Sequence, residues 1–175
     1  MKPTMSTPVP PLDWPHYGIG FGAAFKRGFQ KYATFSGRAS RGEFWWWFLA
    51  NSVIGTVLYL LTVGLGLATA SKPGQVIGPG GWAFGILLVV WALAVVIPNI
   101  AVTIRRLHDA GYSGWFYLFN VVGLGIVTLV LCAMETSPTA AKYGPPYPQG
   151  YAPGGYGNGQ PNQGYGPPPG QSQQY

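Results

Sequence analysis

Three stretches free of charged side chains, residues 44–68, 82–104 and 115–134, constrain this chain more than any other feature. A helix needs about 20 mostly apolar residues to cross the hydrocarbon core of a bilayer, and each stretch meets or approaches that length. Trp45, Trp46, Trp47, Trp82 and Trp115 stand near the ends of the stretches, where amphipathic rings settle at headgroup level. Charged residues make up only 8% of the chain and hydrophobic ones 48%, against about a quarter charged in an ordinary soluble domain. The pattern predicts an all-α integral membrane protein with about three transmembrane helices.

Orientation follows from the cations, because short loops rich in Lys and Arg stay cytoplasmic. Lys2, Lys26, Arg27, Lys31, Arg38 and Arg41 precede the first stretch, Lys72 follows it, and Arg105 and Arg106 lie between the second and third. The N-terminus and the second loop are therefore assigned to the cytoplasm. If all three stretches cross, the C-terminus emerges outside. The sequence NVVGLGIV, with Asn120, Gly123 and Gly125 in the middle of the third stretch, leaves a re-entrant fold-back as the alternative, which returns the tail to the cytoplasm.

Both ends are discounted from the membrane domain, which spans residues 20–142. Residues 1–19 are Pro-rich, read as disordered, and lack the apolar core of a cleavable leader. Residues 143–175 carry no charge and are dominated by Gly, Pro, Tyr and Gln, a composition that cannot bury enough apolar surface to order itself. That tail is either a solvated tether or a set of tyrosine contacts for a protein or wall partner.

Ahead of the first stretch, residues 20–35 have a helical period. At about 100° per residue, Phe21, Phe25, Phe29, Tyr32 and Phe35 fall on one side and Lys26, Arg27, Gln30, Lys31 and Thr34 on the other. An aromatic face opposite a basic one suits an amphipathic helix lying in the membrane interface, or one packed on the spans. Gly28 on the aromatic side lowers the stability of the isolated helix by about 1 kcal/mol.

Two polar motifs flank the spans. Ser40-Arg41-Gly42-Glu43 fits a capping box, in which the Ser40 hydroxyl accepts from the Glu43 amide and the Glu43 carboxylate reaches back to the Ser40 amide. In IRRLHDAGYSGWF, Arg105 and Asp109 have i, i+4 spacing, Gly111 suits the left-handed position that ends a helix, and Ser113 suits the next N-cap. The short segments bring Arg38, Arg41, Arg105 and Arg106 near Glu43 and Asp109, a cluster of net charge +2. With His108 it forms the candidate site. It either closes as an internal ion-pair clasp or offers forked arginine contacts to anionic lipid headgroups or another anionic ligand.

The runs FSGRASRGEFWWWFLAN, TIRRLHDAGYSGWFYLFN and LCAMETSPTAAKYG resemble the YhaH-like family of small bacterial inner-membrane proteins, a domain-of-unknown-function family. The resemblance covers roughly Phe25 to Gly144. Its marked positions are Phe35, Gly37, Arg38, Arg41, Glu43 and Trp45, then Arg105, Arg106, Leu107, His108 and Asp109. Val122-Gly123 stands where relatives often carry a proline before the glycine. The resemblance implies a multi-pass plasma (inner) membrane location and no activity.

Depth adds one further expectation. Asn51, Asn99 and Asn120 each lie about 8 to 11 Å from the cytoplasmic ends of their helices at 1.5 Å per residue. They are expected to face one another in an inter-helix polar layer, with Pro98 freeing a nearby carbonyl, and to act as glue or as the floor of a pocket. Chemistry has little else to use: four acids, two histidines and Cys132, with no triad, phosphate loop or metal cluster. No cofactor, metal or nucleic-acid partner is expected, and the chain is not read as an enzyme. The function expected is a non-enzymatic membrane scaffold or interaction module, with anionic membrane lipids, other membrane proteins or copies of itself as partners. A small transporter or channel component acting as an oligomer is the alternative.

Overall fold

Ser40 starts the first long helix as its sequence requires, with its extended backbone and its side chain accepting from the Glu43 amide at 3.1 Å. In the computed structural model, which describes residues 10, 12, 14–72 and 75–144, that helix is preceded by α1 (Phe21–Gln30) and is itself α2 (Arg41–Ala68). It is followed by α3 (Pro79–Asp109), a 3-10 turn (Gly114–Tyr117), α4 (Leu118–Val121), α5 (Gly125–Ala133) and a second 3-10 turn (Pro138–Tyr143). Every regular element among the described residues is helical.

α2 and α3 have 28 and 31 residues, roughly 42 and 46 Å at 1.5 Å per residue, more than the ~30 Å of a hydrocarbon core. Both extend past the expected limits 44–68 and 82–104, because the polar turns at one end continue the helices. Only 6% of the most apolar window of α2, and 22% of that of α3, is buried inside the protein. A core helix of a soluble protein would be mostly buried, whereas here Val53, Val57, Leu60, Leu67, Ile86, Val90 and Leu93 point outward. At the end of the pair near Gly78, small residues let the backbones meet: a Cβ on Gly81 would stand 2.5 Å from the Gly66 Cα.

The third crossing expected over 115–134 is not formed. The chain turns at Val122–Leu124, with Gly123 at φ +80°, a left-handed conformation that favours glycine. α5 has 9 residues, about 14 Å, too short to cross. The segment dips in and returns, and the Ser137 amide bonds the Asp109 carbonyl at 3.0 Å. The described chain therefore ends, at residue 144, beside the polar ends of α2 and α3, the arrangement of the fold-back alternative. Residues 145–175 of the proposed disordered tail lie outside the described residues.

The expected helix 20–35 stops at Gln30, leaving Tyr32 and Phe35 beyond it. Its aromatic face packs on the spans: Phe25 stacks on Trp47 at 5.6 Å, and Phe29 meets Trp47 and Trp91 edge-on at 5.1 and 6.4 Å. Gly28 makes this approach possible, since a Cβ there would enter the Trp47 indole. Gly28→Ala gains about 1 kcal/mol of helix propensity and incurs overpacking of about 1–3 kcal/mol. The net expectation is a lower melting temperature in detergent, and an unchanged or higher one would show that α1 is not seated on Trp47. Pro98 lacks the amide that would engage the Ala94 carbonyl, and the Tyr32 hydroxyl donates to that carbonyl at 2.9 Å. The freed carbonyl thus anchors the segment after α1 rather than joining the asparagines.

Residues 14–19, within a segment expected to be disordered, run across the polar helix ends as a strap. The Trp46 indole donates to the Ile19 carbonyl at 3.1 Å, and the Ser40 hydroxyl to the His16 carbonyl at 2.6 Å. The first nine residues lie outside the described ones.

Candidate functional site

Asp109, the last residue of α3, is fully buried. Its Oδ1 accepts from Arg38 Nε at 2.9 Å, from Arg38 Nη2 at 2.8 Å and from the Tyr17 hydroxyl at 2.8 Å. Its Oδ2 accepts from Arg106 Nη1 at 2.5 Å and from the Thr136 hydroxyl at 2.7 Å. These donors come from the strap, the segment before α2, α3 itself and the segment after α5. Burial, reinforced by the Asp109 carboxylate, pushes the Tyr17 phenol far above its usual range, so it remains a donor.

Local sequence explains why α3 can present this carboxylate. Gly111, at φ +88°, closes a Schellman turn in which the Tyr112 amide bonds the Leu107 carbonyl at 2.9 Å and the Gly111 amide bonds that of His108 at 3.0 Å. Ser113 caps as expected, but on a 3-10 turn. The partner of Asp109 on its own helix is Arg106, at i, i+3, rather than Arg105 at i, i+4. Arg106 also donates from Nε to the Cys132 carbonyl at 2.8 Å and from Nη2 to the Met134 carbonyl. Carbonyls at a helix C-terminus lack intrahelical donors and carry partial negative charge, so a guanidinium placed there both satisfies and neutralises them. One arginine of α3 thereby holds the returning end of α5.

Glu43 forms a second centre. Its Oε1 pairs with Arg27 Nε at 2.8 Å and accepts from the His16 amide at 2.9 Å. Only half of the expected capping box forms, because the carboxylate is drawn to the strap and α1 instead of to the Ser40 amide. Arg27 donates further to the carbonyls of Pro10 and Trp14, at 3.2 and 2.5 Å. Burial, then the charge of Arg27, lowers the pKa of His16, which favours the neutral ring beside this pair. Arg105, also buried, donates to the Ala101 carbonyl at 3.2 Å and faces the closed space shared by Arg27 and Glu43.

The expected single cluster is therefore two adjacent ones, Arg27–Glu43–Arg105 and Arg38–Asp109–Arg106. Arg41 belongs to neither and is exposed at the first turn of α2. His108 sits beside the second, its Nδ1 3.2 Å from the Gly37 carbonyl and its ring stacked on Tyr143 at 3.9 Å. Sequence reasoning missed Arg27, Tyr17, His16 and Thr136. A guanidinium on a helical wheel carried no mark of burial, and the strap's contribution is largely main-chain, which has no sequence signature. Among the described residues no three His, Cys, Asp or Glu side chains are grouped so as to hold a metal ion.

The three asparagines do not bond one another. The Trp47 indole donates to Asn99 Oδ1 at 2.6 Å, Asn51 Nδ2 donates to the Trp47 carbonyl at 2.8 Å, and Asn120 Nδ2 donates to the Tyr117 carbonyl and Thr128 hydroxyl at 3.0 and 2.9 Å. All three nonetheless line one cavity of about 360 Å³ between α2, α3 and the re-entrant segment.

Residues 32–145 match the family described as "Protein of unknown function (DUF805)". The chain belongs to this family. Two relatives in Escherichia coli strain K12 are named inner membrane proteins: YhaI, 33% identical over 117 residues, and YhaH, 34% identical over 119. Each alignment covers 66% of this chain, and 86% and 88% respectively of the relative. No solved structure matches significantly. Family membership and the two apolar helices together identify an all-helical integral inner-membrane protein. The family match contains Arg38, Arg106, Asp109 and Thr136 but begins after α1, so Tyr17 and the Arg27 arm on Glu43 lie outside it.

Proposed function

We propose that this protein is a non-enzymatic inner-membrane scaffold whose cytoplasmic end is locked by the two ion-pair centres. The supporting observation is Asp109: donors from four chain segments converge on one buried carboxylate, leaving no oxygen for a substrate. The arginines of both centres are likewise buried on protein acceptors. This favours the clasp over an arginine fork open to phosphate. Contact with anionic headgroups falls to exposed cations at the same end, Lys26 and Arg41, each worth about 1 kcal/mol near an anionic surface. Other membrane proteins, or further copies of the chain, dock on the outward apolar faces of α2 and α3, and the tail serves as a cytoplasmic tether.

The positive-inside rule assigns the clasp to the cytoplasm, and residue 144, beside it, is expected on the same side. In a Cys132→Ser background, Gln75→Cys is expected to react with a membrane-impermeant maleimide added to intact spheroplasts, and Gly144→Cys only after lysis. Reaction of Gly144→Cys in intact spheroplasts would overturn the fold-back topology. Reconstituted vesicles test scaffold against transporter: no solute or ion flux above protein-free vesicles is expected, and flux would replace this reading.

A further inference from the structure

We propose that the cavity between α2, α3 and the re-entrant segment binds the polar end of an uncharged, membrane-dissolved molecule that carries a hydroxyl donor on a hydrocarbon body. The cavity, about 360 Å³, lies at the small end of the range of ligand pockets. It therefore suits a headgroup-sized moiety whose hydrocarbon remainder lies in the lipid. Its wall combines aromatic surface from Phe44, Trp47 and Phe48 with polar side chains at Asn51, Asn99 and Thr103. No Lys, Arg, His, Asp or Glu lines it, so a charged ligand would be desolvated without a counter-charge, at large cost. A bare acyl chain would strand the polar wall.

Asn51 specifies the donor. Its Nδ2 is committed to the Trp47 carbonyl at 2.8 Å, which fixes the amide orientation and makes the other atom the carbonyl oxygen. That Oδ1 is buried and has no hydrogen-bond partner. An acceptor left in this state inside an apolar segment costs about 1–3 kcal/mol, and a hydroxyl entering the cavity relieves it. Asn99, on the same wall, does not bond it; its own carbonyl oxygen accepts from the Trp47 indole. The re-entrant segment forms the remaining wall through Tyr117, Asn120 and Thr128. The fold-back that closes the clasp thus also builds the site.

The test uses the full chain in phosphatidylcholine nanodiscs and a long-chain primary alcohol with a diazirine near its hydroxyl. Its methyl ether, which cannot donate, is the control. Saturable photolabelling of cavity-lining residues is expected with the alcohol, about tenfold weaker with the ether, a ratio that corresponds to loss of one well-made bond to a waiting acceptor. Asn51→Leu should reduce the alcohol to the level of the ether. Ser52→Phe, which fills the cavity from a position that takes no part in the ion pairs of the clasp, should reduce both probes while leaving the melting temperature within a few degrees. Equal labelling by alcohol and ether would show a void filled by hydrocarbon. Absence of saturable labelling in the wild-type protein would show a hydrated gap. Either result overturns the proposal, and neither bears on the scaffold reading.

Discussion

Asp109→Ala is expected to abolish recovery of monodisperse protein from mild detergent. The substitution leaves Arg38 and Arg106 as buried guanidinium groups without their carboxylate, removes the acceptor of Tyr17 and Thr136, and frees the segment after α5. Breaking a buried pair by removing one partner costs about 3–5 kcal/mol, a large fraction of the roughly 5–15 kcal/mol by which a typical domain is stable. Asp109→Asn should do almost as badly, because its amide nitrogen must face donors on one of the two sides. The apolar triple variant Arg38→Met, Arg106→Met, Asp109→Leu separates a structural centre from a chemical one. Replacing a whole buried ionic group by packed apolar side chains is often neutral or stabilising, so the triple variant should recover much of the monodisperse fraction that Asp109→Ala loses. Size-exclusion profiles and thermal melts measure both. Wild-type behaviour of Asp109→Ala would remove the clasp from any account of this fold.

The two spans were legible because an uninterrupted apolar run of adequate length has few other uses, and the Ser40 cap and the Gly111 stop mark where each polar end begins. The third segment was less so. Residues 115–134 have the length and composition of a span, and both outcomes satisfy those criteria. What decides between them is tertiary: the left-handed turn at Gly123, and Arg106 reaching across to the last carbonyls of α5. The motif sequence placed Arg38, Glu43, Arg106 and Asp109 at one end of the membrane domain. It did not assign partners, because i, i+4 spacing and a capping box describe isolated helices, and stronger acceptors arrived from elsewhere. Arg27 shows the limit of a helical wheel. The flank that should face water is covered by the strap and the residues before it, and main-chain carbonyls there, those of Pro10 and Trp14, receive the guanidinium.

Glu43→Ala is the second large effect, and it should be local where that of Asp109 is global. Removing the carboxylate takes the partner of Arg27 and the acceptor of the His16 amide at once, both at a buried position. The Ser40 cap survives, since its bond to the residue-43 amide is main-chain on that side. A loss of about 3 kcal/mol is therefore expected for the attachment of α1 and the strap, with α2 still begun by its cap. Glu43→Gln keeps an acceptor for His16 but no charge for Arg27, and Ser40→Ala removes the cap, about 1 kcal/mol, along with the hydroxyl bond to the His16 carbonyl. Hydrogen exchange by mass spectrometry in detergent separates the two Glu43 variants. Amides of α1 and residues 14–19 should lose protection most in Glu43→Ala and less in Glu43→Gln, while those of α3 stay protected in both. If protection in α3 falls together with that in α1, the two ion-pair centres are one cooperative unit and the strap is part of the lock. If neither falls, main-chain carbonyls, those of Pro10, Leu12 and Trp14 among them, hold Arg27 without the carboxylate, and Glu43 serves only the start of α2.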